Sequence, residues 1–189
     1  MTVPSILAMR TSAFLSNEAE QFIVGDVLDV GCGAMPYKRL FPNTSWKGLD
    51  ARPVGDIVAD MDTHLESENY DTVLCTDSLQ FSRDPKQAIT NMASAVKRGG
   101  HLIIAAPNVA AEDQMSRWRF TVGGLGEMVQ LAGLEIGYLD GLTGLFEDAA
   151  SDFANSFGIS TALPAQFKGW IAHLDRTYPM LSACIARKP

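Results

Sequence analysis

The phrase Asp29-Val30-Gly31-Cys32-Gly33 carries the first chemical signal in the chain. Val27 and Leu28 lead into it, so it reads as the end of a buried strand breaking into glycines. Two glycines let the backbone turn sharply and approach a ligand at a distance that no Cβ would permit. Nineteen residues after Gly31 comes Asp50, closing the short run Trp46-Lys47-Gly48-Leu49-Asp50. A carboxylate at that place can accept hydrogen bonds from both hydroxyls of a ribose. Together these residues point to a nucleoside-containing cofactor. The dinucleotide fingerprint G-x-G-x-x-G needs a third glycine for close helix–strand packing, and Pro36 stands there instead. A nicotinamide-dependent oxidoreductase is disfavoured on that ground. Asp29, inside the strand, also suits a cationic ligand better than a diphosphate.

The elements that must position these residues follow from periodicity. Phe14, Leu15, Ala19, Phe22 and Ile23 form a helical stripe within residues 11–23, part of an N-terminal helical segment over 1–24. Strands are predicted at Val27–Val30, Trp46–Asp50, Asp56–Asp60, Tyr70–Cys75, His101–Ala106, Leu134–Leu139 and Leu181–Ala186. Tyr37, Leu40 and Phe41 fall at helical spacing. A helix is predicted from about Pro85 to Lys97, with proline in its first turn. Arg98-Gly99-Gly100 reads as a turn. Leu125, Met128, Val129 and Ala132 mark a later helix that Gly133 caps. Strands alternating with helices argue for one α/β domain over 1–189, Rossmann-like, with a mostly parallel sheet. In such a sheet ligands bind beyond the carboxyl ends of the strands, near the point where strand order reverses. The connection over 141–180 has no assigned role; its stripe Phe167, Trp170, Ile171 and Leu174 reads first as core.

Composition narrows the function classes. The 189 residues are 47% hydrophobic and 20% charged, an ordinary globular mix. Fifteen Lys and Arg against twenty-two Asp and Glu leave a net charge of −7, which argues against a broad nucleic-acid footprint. Cys32, Cys75 and Cys184 are odd in number and have no C-x-x-C spacing, so free thiols and a reducing, cytoplasmic setting are expected. His64, His101 and His173 share no metal-ligand spacing, and no metal is expected. No run of eighteen apolar residues suggests membrane insertion. A homodimer is compatible with the long late connection.

Val27-Leu28-Asp29-Val30-Gly31-Cys32-Gly33 resembles motif I of the class I S-adenosylmethionine-dependent methyltransferases. Gly48-Leu49-Asp50 resembles their ribose-binding acidic position and Val58-Ala59-Asp60-Met61 their adenine-side position. Tyr70–Cys75 resembles motif IV, Lys97-Arg98-Gly99-Gly100-His101-Leu102 the turn before the fifth strand, and Pro36-Tyr37 and Arg119-Phe120-Thr121 match one branch of the family. The resemblance implies a three-layer α/β/α sandwich whose seven-stranded sheet has only its last strand reversed. It implies S-adenosylmethionine as cofactor and S-adenosylhomocysteine as product. Asp29, Gly31 and Gly33 would surround the methionine portion, Asp50 the ribose, and Asp60 and Met61 the adenine, with Thr76 or Asp77 lining the cleft. Asp77 is the best-placed general base for transfer to a small-molecule acceptor.

Plainer roles compete. Asp60 and Asp62 can serve a turn, Asp77 and Ser78 can cap the following helix, and Trp118 and Arg119 can pin a loop. One departure bears on chemistry: many relatives have Leu-Glu-His after motif IV, and this chain has Leu79-Gln80-Phe81. It motivates an alternative reading, a catalytically degenerate relative that binds the cofactor and acts as a subunit or regulator.

Overall fold

The computed structural model describes residues 6–63, 65, 69–109, 115–142, 173–174 and 179–189. Among these, the strands are β1 (Asp26–Val30), β2 (Ser45–Asp50), β3 (Ile57–Val58), β4 (Tyr70–Thr76), β5 (Val96–Pro107), β6 (Glu135–Leu142) and β7 (Leu181–Arg187). Helices with described bounds are α1 (Ile6–Asn17), α2 (Pro85–Ala95) and α3 (Val122–Leu131). The strands form one sheet in the order β3-β2-β1-β4-β5-β7-β6. β7 runs antiparallel to both β5 and β6, and the remaining pairs are parallel. The expected sheet, with its last strand reversed, is the observed one. Strand order reverses between β1 and β4, so their carboxyl ends flank the crevice where a ligand has room.

The central strands are apolar on both faces because helices cover both. Alternation sorts the side chains into two cores. Leu28, Val73, Cys75, Leu102 and Ile104 pack with Ile89 and Met92 of α2 and with Leu125 and Val129 of α3. Val27, Leu74, Ile103, Ala105 and Ile185 pack on the opposite side with Phe14 and Leu15 of α1 and with Phe41 and Trp46. Asp84 caps α2 by accepting the Gln87 N–H at 3.1 Å, with Pro85 in the first turn. Thr121 caps α3 through the Gly124 N–H at 3.1 Å, and Gly133, at φ +82°, ends it.

Several local expectations differ from the structure. α2 stops at Ala95, because Val96 is already extended and pairs with Tyr70. Arg98-Gly99-Gly100 is not a turn between elements but lies within the long strand β5. The β4–β5 register jumps there from Tyr70↔Val96 to Thr72↔His101, so residues 97–100 bulge out. Gly99 takes φ +78°, and a Cβ on Gly100 would press on the Asp71 carbonyl. The third strand shrinks to two residues, and the spacing of Tyr37, Leu40 and Phe41 supports only a 3₁₀ turn over Lys38–Leu40. The helical segment before β1 divides into α1 and a 3₁₀ turn, Glu20–Phe22. The 141–180 connection is shorter than read, since Gly141 and Leu142 belong to β6. Phe167, Trp170 and Ile171 lie outside the described residues, as does His64. The three cysteines are buried and free. No described helix is long and apolar enough to cross a membrane.

Ile104 is fully buried at the centre of β5, between Cys75 of β4 and Cys184 of β7. Ile104→Ala is expected to lower unfolding free energy by about 2–5 kcal/mol through lost transfer energy and the cavity left behind. Equilibrium denaturation with urea measures it.

Candidate functional site

The loop after β1 is pinned before any ligand is considered. Gly31 N–H and Cys32 N–H both donate to the Leu49 carbonyl, at 2.7 and 3.1 Å, tying β1's end to β2. Gly31 takes φ +72°, and a Cβ there would collide with the Ser78 side chain. Ser78 Oγ in turn donates to the Val30 carbonyl at 2.9 Å and lies 3.2 Å from Cys75 Sγ. The space a Cβ on Gly31 would take is therefore filled by the Ser78 side chain. Gly33 differs. It also has positive φ, +49°, yet among the described residues a Cβ there would meet only Arg52 Nη2, at 3.9 Å. Close approach of a ligand to bare backbone is thus available at Gly33.

Asp50 stands opposite that open face and is almost fully buried. Its Oδ2 accepts the Gly33 N–H at 3.0 Å and its Oδ1 the Arg52 N–H at 2.9 Å. The Arg52 guanidinium grips both oxygens, with Nε 3.0 Å from Oδ1 and Nη2 3.1 Å from Oδ2. These bonds, the guanidinium's first, hold the Asp50 carboxyl down at about 2 against the opposing pull of burial. The pair is one-sided in exposure: the Arg52 side chain is 70% exposed. Asp29, two residues before Gly31, is buried with its carboxyl pushed up to about 7, first by burial and then by the Asp50 charge.

At the end of β4, Thr76 is buried and Asp77 adopts φ +50°, a left-handed conformation that Asp tolerates better than most residues. Asp77 Oδ2 accepts from Thr11 Oγ1 of α1 at 3.0 Å. Burial lifts the carboxyl to about 6, against hydrogen bonds from Thr11 and Tyr37. Burial and the facing Asp77 charge push the Tyr37 phenol up to about 12, so it stays a donor. Asp77 Oδ1 is buried with no partner among the described residues. Neither Asp77 nor Ser78 caps a helix: the 3₁₀ turn Leu79–Phe81 follows with no side-chain cap, and their side chains point to Thr11 and Val30.

Asp60 shapes a turn, accepting the Asp62 N–H at 3.1 Å, while Asp62 accepts from Ser82 Oγ and the Arg83 N–H. Met61 lies beside Gly31 and packs on the core. Trp118 pins its loop by donating from Nε1 to the Ser82 carbonyl at 3.0 Å. The structure thus brings Asp29, Gly31, Gly33, Asp50, Met61, Thr76 and Asp77 to one edge of the sheet. Sequence reasoning missed Thr11, Arg52, Ser78 and Gln80 as parts of this edge. Arg52 carried a signal, a cation two residues after a carboxylate, and so did Gln80, which departs from the Leu-Glu-His of many relatives. Among the described residues, no group of three or more His, Cys, Asp and Glu side chains is placed to hold a metal ion.

A family model described as a methyltransferase domain matches residues 7–135. No curated protein matches the sequence. The fold is similar to the chain that partners the Trm112 methyltransferase activator in a Haloferax volcanii complex (TM-score 0.68, 17% identity, 96% of this chain and 92% of that one). It is similar to the [4+2]-cyclase SpnF (0.65, 20%, 96% and 81%). It is similar also to Haemonchus contortus phosphoethanolamine N-methyltransferase 2 in complex with S-adenosyl-L-methionine (0.64, 15%, 90% and 51%). At such identities the likeness establishes a shared fold.

The raised Asp29 carboxyl sets a pH dependence. The folded protein keeps a proton on Asp29 where the unfolded chain, with an ordinary carboxyl near 3.8, has released it. Its contribution to stability is therefore lost as pH rises from about 4 through about 7. Asp29→Asn, which cannot ionise, is expected to melt above wild type near pH 8, the margin closing towards pH 4. Calorimetric melting temperatures across that range decide it.

Proposed function

The chain belongs to the methyltransferase-domain family, and we propose that it transfers the methyl group of S-adenosylmethionine to a small-molecule acceptor. The observation that carries this reading is the meeting of Gly33's open backbone with the buried carboxylates Asp29 and Asp50 at the switch point of the sheet. The residues fit the cofactor's chemistry. Its methionine portion brings an ammonium and a sulfonium, and a buried carboxyl held near 7 by desolvation and a like charge favours a neighbouring cation. Its ribose brings two hydroxyl donors, and Asp50 is an ionised acceptor at the strand end. The Arg52 guanidinium must release Asp50 for that contact, and it sits on a side chain exposed enough to turn into solvent. Met61 and Asp60, after β3, are offered to the adenine.

The cofactor supplies a methyl group already activated on sulfur. The protein's task is alignment, with proton removal where the nucleophile requires it. Asp77 is suited to the second part. Its carboxyl, at about 6, is mostly ionised at neutral pH, and Thr11 holds Oδ2 while Oδ1, without a partner among the described residues, can accept a proton. The shared fold of a cyclase and an N-methyltransferase shows that the fold does not choose the acceptor.

Titration calorimetry with S-adenosylhomocysteine tests the reading. Wild type is expected to bind and to gain melting temperature with ligand. Asp50→Ala should weaken binding by about two orders of magnitude, from charge-assisted bonds worth roughly 1.5–3 kcal/mol each. Asp50→Asn should be intermediate, and Arg52→Ala should tighten binding a few-fold by removing a competitor. Absence of binding to wild type defeats the proposal. Binding without turnover, under an acceptor panel, favours the degenerate relative to which Gln80-Phe81 in place of Glu-His points.

A further inference from the structure

Asn91 lies inside α2 on the face that carries Ala88, Met92 and Ala95 into the core, and it is only 3% exposed. Asparagine is a poor helix former, and burying its amide costs stability unless its polar atoms find partners. Here both amide hydrogens and the oxygen have them. Nδ2 donates to the Met61 carbonyl at 3.1 Å and to the Thr63 carbonyl at 2.7 Å, and Oδ1 accepts from Gln87 Nε2 at 2.8 Å. Only the NH₂ end of the amide can serve two carbonyls, so the orientation of the group is fixed. Thr63 is exposed and Met61 half-buried, so water competes for those carbonyls once Asn91 is removed. The same turn is tied again at its middle, where Asp62 accepts from Ser82 Oγ and from the Arg83 N–H at 2.8 Å.

The place of this turn gives the strap its meaning. It follows β3, whose Val58 pairs with Asp50, and the Ala59 N–H donates to the Asp50 carbonyl at 3.1 Å. Met61 Cε comes within 3.5 Å of the point where a Cβ on Gly31 would stand. The turn is therefore a wall beside the carboxyl ends of β1 and β2, and Asn91 holds it from the helix layer behind. Asp60 Oδ1 accepts the Asp62 N–H at 3.1 Å, so the Asp60 carboxylate is oriented by the same turn. A carboxylate on such a wall accepts from an exocyclic amino group and repels a carbonyl put in its place. Hydrogen bonds weaken steeply as they lengthen and bend, so a wall free to drift discriminates less between the two. We propose that Asn91 is a positioning residue for base recognition: by strapping residues 61–63 to α2, it sets the preference of the site for adenine over a base with a carbonyl at the amino position. This rests on the methyltransferase reading.

The full chain is titrated calorimetrically with S-adenosylhomocysteine and with S-inosylhomocysteine, which carries a carbonyl where adenine has its amino group. Wild type is expected to favour the adenosyl ligand by about tenfold or more. Asn91→Leu, close in size and without donors, should lower that ratio about fivefold. Gln87→Ala removes an exposed side chain and frees the Asn91 amide to turn, and should lower the ratio about threefold. Melting temperatures without ligand are recorded beside each titration. An Asn91 that only supported the helix would lower the melting temperature and leave the ratio where it was. A ratio unchanged in Asn91→Leu therefore overturns the proposal; should that variant not fold, an unchanged ratio in Gln87→Ala does so. Equal binding of the two ligands by wild type overturns it as well. If wild type does not bind S-adenosylhomocysteine, the methyltransferase reading falls first and the strap's role falls with it. If wild type binds and the ratio does not move with the strap, only this inference falls.

Discussion

The whole edge depends on one contact, the Ser78 side chain seated where Gly31 has no Cβ. Through it Ser78 reaches the Val30 carbonyl at 2.9 Å and locks the end of β4 against the end of β1. These two strands are where the sheet order reverses, so their separation sets the width of the crevice. A side chain at position 31 would drive them apart and carry Asp77 away from Asp29. The glycine also needs its freedom of backbone, at φ +72°. Packing and conformation make the same demand at one position.

Around this junction the chain gathers carboxylates in a region where charge is costly. Three solutions are visible. Asp50 keeps its charge because the Gly33 and Arg52 donors surround it. Asp29 has its charge opposed by burial and by Asp50, and its carboxyl is pushed up to about 7. Asp77 lies between them, with one oxygen supplied by Thr11 and the other unmatched. Such an edge is destabilised against anions and receptive to cations.

α1 is the less obvious contributor. Phe14 and Leu15 bury against the sheet, and the same helix face carries Thr11, one turn earlier, to Asp77. The apolar packing of an N-terminal helix thereby fixes the orientation of a carboxylate sixty-six residues away in sequence. On the other side, residues 117 and 118 bind the main chain of Gln80 and hold the turn after β4 in place. The site is braced from both layers of helices.

The sequence by itself determined the fold class, the reversal of the last strand through its family resemblance, and the neighbourhood of Asp29, Gly31, Gly33 and Asp50. Those signals are local: apolar runs of strand length, glycines where the chain must turn, and a carboxylate at the end of the next strand. The bulge at residues 97–100 was not legible, because the glycines that mark a turn between elements also mark a bulge within one. The division of labour between the two glycines was equally hidden. Gly31 is answered by Ser78 and Gly33, among the described residues, by the Arg52 guanidinium alone, and the chain segment that fills the first lies forty-seven residues downstream of it. Only the tertiary structure decided that Arg52 folds back onto Asp50, that Thr11 and Tyr37 hold Asp77, and that Asp77 Oδ1 and Gln80 Oε1 are buried with no partner among the described residues. Pairing of polar groups depends on three-dimensional distance and on what water can reach, and neither is written in residue spacing.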